Sequence, residues 1–184
     1  MVWRMVVGIL VLALVGVECS ATAEKKRAVY IFGDSTADVG TNGFLPGSPF
    51  RANFSYYGVD SPELGRTGRF NNGLNTVIIS VSILTGLKRS PPPYFSVNTT
   101  SSMKKYSTIG RNFASGGSGI LDETGGNTKS KYQNVVTLRE QINQFRAIQA
   151  TLVDFMGHEA ASDFLANSLF FVSTGSNDIF DHRL

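Results

Sequence analysis

Cysteine is nearly absent from this 184-residue chain: the single one, Cys19, lies within the first 23 residues. A chain cut after Ala23 has no thiol, so no disulfide braces it even in an oxidising compartment, and its stability must come from a packed core. Histidine is scarce as well, with only His158 and His182. Two distant imidazoles and scattered carboxylates lack metal-ligand spacing, so no metal is expected. The longest apolar run, Val6 to Val17, stops at Glu18 after 12 residues, well short of the roughly 20 that a spanning helix needs, so no stable membrane anchor is expected. Dense basic stripes interleaved with aromatics are missing, which argues against nucleic acid as a partner. Neither G-x-x-x-x-G-K-S/T nor G-x-G-x-x-G occurs, so no loop is built to cradle a phosphate.

What is present at the amino terminus reads as a secretory signal. Arg4 supplies a positive start, Val6 to Val17 the apolar middle, and Ala21-Thr22-Ala23 a small-residue cleavage site. Residues 1–23 are therefore expected to be removed and residues 24–184 to form the mature, secreted domain. Removal of Arg4 and Glu18 lowers the basic and acidic counts from 17 and 14 to 16 and 13, still a surplus of three positive charges. Lys25-Lys26-Arg27 reads as a solvated start to the mature chain. Secretion makes two N-x-S/T sequons, at Asn53 and Asn98, candidate glycan sites. A mature length of about 160 residues suits one globular domain and not two.

The first strand is expected over Ala28–Phe32, a continuous apolar run suited to a parallel strand covered on both faces. Thr41–Asn75, rich in Gly, Pro, Asn and Ser, reads as a long irregular excursion, and long loops in compact domains are often functional. Asn75–Thr85 fits two patterns: Val77, Ile79, Val81 and Ile83 alternate as in a strand, while Val77, Ile78, Val81 and Leu84 mark a helical face. Gly86 suits a helix C-cap. Lys105–Phe113 reads as a short second strand leading to the Gly-rich turn Ala114–Gly119. The clearest helix opens with the capping-box pattern Thr137-Leu138-Arg139-Glu140, carries Leu138, Ile142, Phe145, Ile148 or Gln149, Leu152 and Met156 on one face, and ends at Gly157. A helical piece near Glu159–Asn167 then precedes an apolar strand, Leu169–Ser173. Strand, crossover, strand, helix, strand implies an α/β sheet with parallel strands. Leu169–Val172 is expected at an uncovered sheet edge.

Three turns end strand-like segments and offer small residues with polar donors: Gly33-Asp34-Ser35, Ser115-Gly116-Gly117 and Gly175-Ser176-Asn177-Asp178. In a parallel sheet such carboxyl ends converge on one edge, where ligands bind. Ser35 is the candidate nucleophile, delivered by a strand that breaks at a glycine. The Ser35 N–H, a Gly N–H and the Asn177 amide are candidate donors to a developing oxyanion.

These residues resemble the motifs of a known family. Phe32-Gly33-Asp34-Ser35-Thr36-Ala37-Asp38-Val39-Gly40 is similar to the opening motif of the GDSL esterases/lipases within the SGNH hydrolases, with Thr36 where Leu is usual. Asn112–Leu121 resembles the second motif, Gly175–Asp178 the third, and Thr67–Gly73 a stretch of the plant-type branch, with Asn71 for the usual Ser. The similarity runs from about Ala28 to Phe180 and matches the amino-terminal part of the family only. It implies a flavodoxin-like, three-layer α/β/α fold with a central parallel sheet, and favours the helical reading of Asn75–Thr85. It also implies secreted hydrolysis of carboxylic esters, small-molecule or lipid, without metal or cofactor. By residue, Ser35 matches the nucleophile, Gly117 the oxyanion glycine with Gly116 one register away, and Asn177 the oxyanion asparagine. Asp34 and Asp38 belong to the first motif, with Asp38 expected to brace its loop.

The family's general base lies in a late D-x-x-H motif, and this sequence has none. Asp154-x-x-x-His158 and Asp178-x-x-x-His182 each carry one residue too many, and both histidines read as surface residues. The expectation is thus the amino-terminal portion of an ester hydrolase, weakly active or inactive as it stands and incomplete at the carboxyl side of its sheet. The alternative is a secreted binding homologue that keeps the cleft without the base.

Overall fold

The structure is a computed structural model that describes residues 27–60, 67–125 and 135–181. The expected signal segment and His182 lie outside the described residues. Three parallel strands form one sheet in the order β2-β1-β3: β1 Val29–Gly33, β2 Gly110–Asn112 and β3 Leu169–Ser173. β1 is central and fully buried, with Val29 opposite both Gly110 and Leu169 and Gly33 opposite Ser173.

The continuous apolar run of β1 follows from its position between two layers. Side chains alternate across a strand, so Val29 and Ile31 face one way, against Val77, Ile78 and Val81 of helix α1 (Thr76–Thr85). Tyr30 and Phe32 face the other way, against Phe113 and against Ile148 and Leu152 of helix α3 (Leu138–Met156). Helix α4 (His158–Ala166) adds Ala161 to that second layer. The result is the three-layer α/β/α arrangement around a parallel sheet.

Asn75–Thr85 is a helix. The Asn75 side chain accepts the Ile78 N–H at 2.9 Å, and Gly86 ends the helix at φ +69°, a left-handed cap that a residue without a Cβ adopts freely. Lys105–Ile109 is helical rather than extended, which corrects the expected strand. Helix α2 (Thr100–Ile109) is capped by Thr99, and the Tyr30 hydroxyl donates to the Ser107 carbonyl in its last turn at 2.6 Å. Only Gly110–Asn112 remain to pair with β1.

The helix α3 begins where the capping box lies, with Thr137 Oγ1 accepting the Glu140 N–H at 3.3 Å. Its inward stripe differs from expectation. Ile142 is exposed, and Gln141 and Gln144 take buried positions beside Ile148 and Leu152. β3 is an outer strand of the sheet among the described residues, with Val172 largely in solvent and Phe170 half-exposed, its ring packed on Tyr30 and Phe145.

Arg111, on β2, is buried with its guanidinium 5.6 Å above the Tyr106 ring, and its Nε and Nη1 have no hydrogen-bond partner among the described residues. Burial lowers its pKa. An unpaired buried cation stabilises little, so Arg111→Met is expected to keep or raise the thermal midpoint; the lost cation–π contact costs at most about 1–2 kcal/mol. A scanning-calorimetry midpoint well below that of the parent would contradict this.

Candidate active site

The site grows out of the end of β1. Gly33, at φ +147°, donates its N–H to Gln141 Oε1 at 2.8 Å and accepts at its carbonyl from Gln141 Nε2 at 2.9 Å and from the Ser115 N–H at 3.0 Å. The next N–H, Asp34, donates to the Ser173 carbonyl of β3 at 3.0 Å. The Ala37 and Asp38 N–H groups then return to the Asp34 carbonyl at 3.1 and 3.0 Å. Ser35 is thereby held on a tight turn above the strand ends, half-buried.

The two aspartates of this turn are structural. Asp34, almost fully buried, accepts the Thr36 N–H and hydroxyl at Oδ1 (2.9 and 2.7 Å) and the Ser176 hydroxyl at Oδ2 (2.7 Å). Because Thr36 gives its only hydroxyl hydrogen to Asp34, Ser173 Oγ, 2.8 Å away, must donate to Thr36. Asp38, fully buried, accepts the Gly40 and Thr41 N–H groups at Oδ1, both at 2.7 Å, and the Gly116 N–H at Oδ2 at 2.9 Å. Burial pushes its carboxyl up to about 6, against the hydrogen bonds from Gly116, Gly40 and Thr41 that favour the charged form.

The second turn meets the first through Asp38 and through a buried amide pair. Asn42 Nδ2 donates to the Gly116 carbonyl at 2.8 Å, and Asn42 Oδ1 accepts the Ser115 hydroxyl at 2.5 Å. The Gly116 N–H is therefore committed to Asp38. Among the described residues, no hydrogen bond occupies the Gly117 N–H, which sits at φ +87° on the same turn.

The third turn joins both. Asn177, in the first turn of helix α5 (Ser176–Asp181), donates one Nδ2 hydrogen to the Ser118 carbonyl at 2.8 Å, which leaves its second amide hydrogen for another acceptor. Asp178 collects the Ile120 N–H (2.8 Å), the Leu121 N–H (3.0 Å) and the Thr124 hydroxyl (2.7 Å). Burial raises its carboxyl, but the bonds from Leu121, Ile120 and Thr124 outweigh it and hold the pKa below the ordinary value. Asp181 accepts the Gly125 N–H at 3.0 Å.

His158 is not part of this cluster. Gln141, near the start of α3, touches Gly33, while His158 follows the far end of that helix, about 25 Å away along an axis rising 1.5 Å per residue. It opens helix α4, beyond the end of α3 remote from Gln141. No basic side chain hydrogen-bonds to Ser35 among the described residues, and none of their His, Cys, Asp and Glu side chains form a group able to hold a metal ion.

Sequence reasoning missed Gln141, Asn42 and the role of Asp178. Gln141 is fully buried, and its Nε2 also reaches the Ser118 hydroxyl at 3.2 Å and the Val136 carbonyl at 3.0 Å. One amide thus ties the nucleophile strand to the Gly-rich turn and to the start of α3. The available signal was its spacing, three and seven residues before Gln144 and Ile148.

Comparison with known proteins gives the chain its relatives. Over 155 residues the chain is 39% identical to GDSL esterase/lipase At5g37690 of Arabidopsis thaliana, an alignment covering 84% of this chain and 41% of that protein. The chain belongs to the GDSL esterase/lipase family. GDSL esterase/lipase At5g41890 is 38% identical over 155 residues (83% of this chain, 40% of that protein), and GDSL esterase/lipase At5g55050 is 38% identical over 157 residues (84% and 40%), both also from Arabidopsis thaliana. The chain thus spans about two fifths of the length of these curated GDSL relatives. No family model and no solved structure matches it.

Proposed function

We propose that this GDSL chain carries the nucleophile and oxyanion side of a secreted carboxylic ester hydrolase. Ser35 attacks the acyl carbon, and the tetrahedral oxyanion takes hydrogen bonds from the Ser35 N–H, the Gly117 N–H and the second Asn177 amide hydrogen. Its collapse breaks the ester C–O bond and releases the alcohol with the proton lost by Ser35, and water then cleaves the acyl-enzyme to the carboxylic acid and free Ser35. The single observation that carries this reading is the hydrogen-bonded convergence of the three turns: Gly33 on Ser115, Asp34 on Ser176, and Asn177 on Ser118. Relatives named esterase/lipase support an ester or lipid substrate. The apolar amino terminus supports secretion, and the exposed side chains of Asn53 and Asn98 suit glycan attachment.

A serine hydroxyl needs a base to lose its proton, and the described residues bring none to Ser35. Relative to a complete Ser-His-Asp arrangement, turnover is expected to be lower by on the order of 10⁴ to 10⁶, leaving what oxyanion donors supply alone. The same observation favours a second reading, a binding homologue that holds an ester in the cleft without cleaving it. The secreted protein, assayed on p-nitrophenyl acetate and butyrate beside Ser35→Ala, tests both. Slow hydrolysis lost in Ser35→Ala supports the enzyme; hydrolysis identical in parent and variant overturns it; an ester that binds without turnover selects the binding reading.

A further inference from the structure

The dipeptide Asn-Gly occurs twice, at Asn42-Gly43 and Asn72-Gly73, and the fold treats the two oppositely. In such a pair the glycine nitrogen can close on the asparagine Cγ, because no Cβ crowds its approach. Ring closure needs a side chain free to turn and a glycine N–H free to lose its proton, since the neutral amide is a poor nucleophile. Asn42-Gly43 has neither. Asn42 is buried, its Nδ2 donates to the Phe50 and Gly116 carbonyls at 2.8 Å, its Oδ1 accepts the Ser115 hydroxyl, and the Gly43 N–H donates to the Gly40 carbonyl at 3.1 Å. Asn72-Gly73 has both. The Asn72 side chain is exposed on a bend, and no hydrogen bond holds its amide or the Gly73 N–H among the described residues. The Asp60 N–H donates to the Asn72 carbonyl at 2.6 Å. That carbonyl and the Gly73 nitrogen belong to one conjugated peptide unit, so the bond steadies the negative charge left when the nitrogen is deprotonated.

We infer that Asn72 is a site of spontaneous deamidation in the folded protein, converted through a succinimide to aspartate and isoaspartate. The deprotonated Gly73 nitrogen attacks Asn72 Cγ, the bond from Cγ to Nδ2 breaks, and Nδ2 leaves as ammonia with the proton that Gly73 gave to solvent. Water then opens the ring. Addition at Cγ restores the main chain and leaves aspartate, whereas addition at the α-carbonyl carbon leaves isoaspartate, whose main chain runs through Cγ and is longer by a methylene. Either product adds one negative charge to a chain with a surplus of three positive ones. The conversion does not rest on the Ser35 chemistry, but it falls on a segment that packs against the Gly116 turn. The Asn71 and Asn72 carbonyls accept the Gly58 and Asp60 N–H groups at 2.9 and 2.6 Å, and the Phe70 ring lies 2.5 Å from where a Gly116 Cβ would stand. An extra methylene at position 72 breaks the spacing of those two hydrogen bonds.

Peptide mapping of the protein, held folded at neutral and at mildly alkaline pH and sampled over time, tests the inference. Trypsin separates the two sites, with Asn42 on Ala28–Arg51 and Asn72 on Phe70–Lys88, and fragment masses locate the exchange of NH2 for OH within each peptide. In the folded protein Asn72 is expected to convert steadily, faster at the higher pH, while Asn42 stays at its starting level. In urea both convert, because unfolding frees Asn42 and Gly43 from their partners. Two variants are each expected to lose most of the conversion. Asn72→Gln needs a larger ring, and Gly73→Ala puts a Cβ beside the attacking nitrogen at a position where it meets only ordinary contacts, the nearest at 3.5 Å. An Asn72 that stays intact in the folded protein overturns the inference, whatever urea does. So does an Asn42 that converts as fast as Asn72 without urea, or a conversion located at Asn71 or Asn75 instead.

Discussion

Gly33→Ala is expected to unfold the chain. A Cβ at Gly33 would stand 2.0 Å from the Ser173 carbonyl oxygen and 2.9 Å from its carbon, with φ at +147° where only glycine rests without strain. The contact is backbone to backbone, so no rotamer change relieves it. Ser173 can retreat only by breaking the register of β3 on β1, and with it the Asp34 N–H bond to its carbonyl. Overlap, backbone strain and lost pairing together exceed about 4 kcal/mol, a large share of the roughly 5–15 kcal/mol that stabilises a domain. Gly86→Ala is the control: Gly86 also has positive φ, +69°, but open space around it, so the cost is about 1 kcal/mol. Thermal melts followed by far-ultraviolet circular dichroism separate the two, and a cooperative, parent-like melt from Gly33→Ala would refute the argument.

The second large effect belongs to Asp38. Asp38→Ala leaves three buried N–H groups, those of Gly40, Thr41 and Gly116, without their acceptor. At about 1–3 kcal/mol for each orphaned donor the loss is several kcal/mol. The loss also depends on pH. Burial raises the folded carboxyl to about 6 from 3.8, so between those values the folded chain holds a proton that the unfolded chain has released. Stability from this group therefore falls as pH rises through the window and is greatest near pH 4. By linkage the full difference is on the order of 3 kcal/mol. The gap between parent and Asp38→Ala, from urea melts, should thus widen on going from pH 7 to pH 4. A constant gap would show that the three hydrogen bonds keep the carboxyl at its ordinary pKa in the folded chain, and a narrowing one that they hold it lower.

The elements that were plain in the sequence are those with a local cause. β1 is an unbroken apolar run because both its faces are covered, and α3 starts just after Thr137 because that side chain accepts the free Glu140 N–H three residues on. Lys105–Ile109 misled because the Thr99 cap that starts α2 lies outside the stretch that looked extended, and Gly110, inside it, ends the helix and opens β2. Ile142 misled differently. Apolar spacing marks a helical face, but it does not register a glutamine whose amide is fully used, and Gln141 is buried because Gly33, Ser118 and Val136 supply its partners. Those partners are 108, 23 and 5 residues away in sequence, so only folding brings most of them together.

From sequence alone came the family, through motifs read at Ser35, Gly117 and Asn177, and the parallel α/β architecture, because residue types at strand ends and periodic apolar positions are local properties of the chain. Tertiary structure decided how those turns are held and which groups stay free: Asp38 takes the Gly116 N–H and leaves that of Gly117, Asn177 keeps one amide hydrogen, and His158 stands beyond the far end of α3. The physical reason is that a hydrogen bond spends a donor's hydrogen on one acceptor. Which donors are spent depends on partners brought together by strand register and helix packing, at separations that no local pattern encodes.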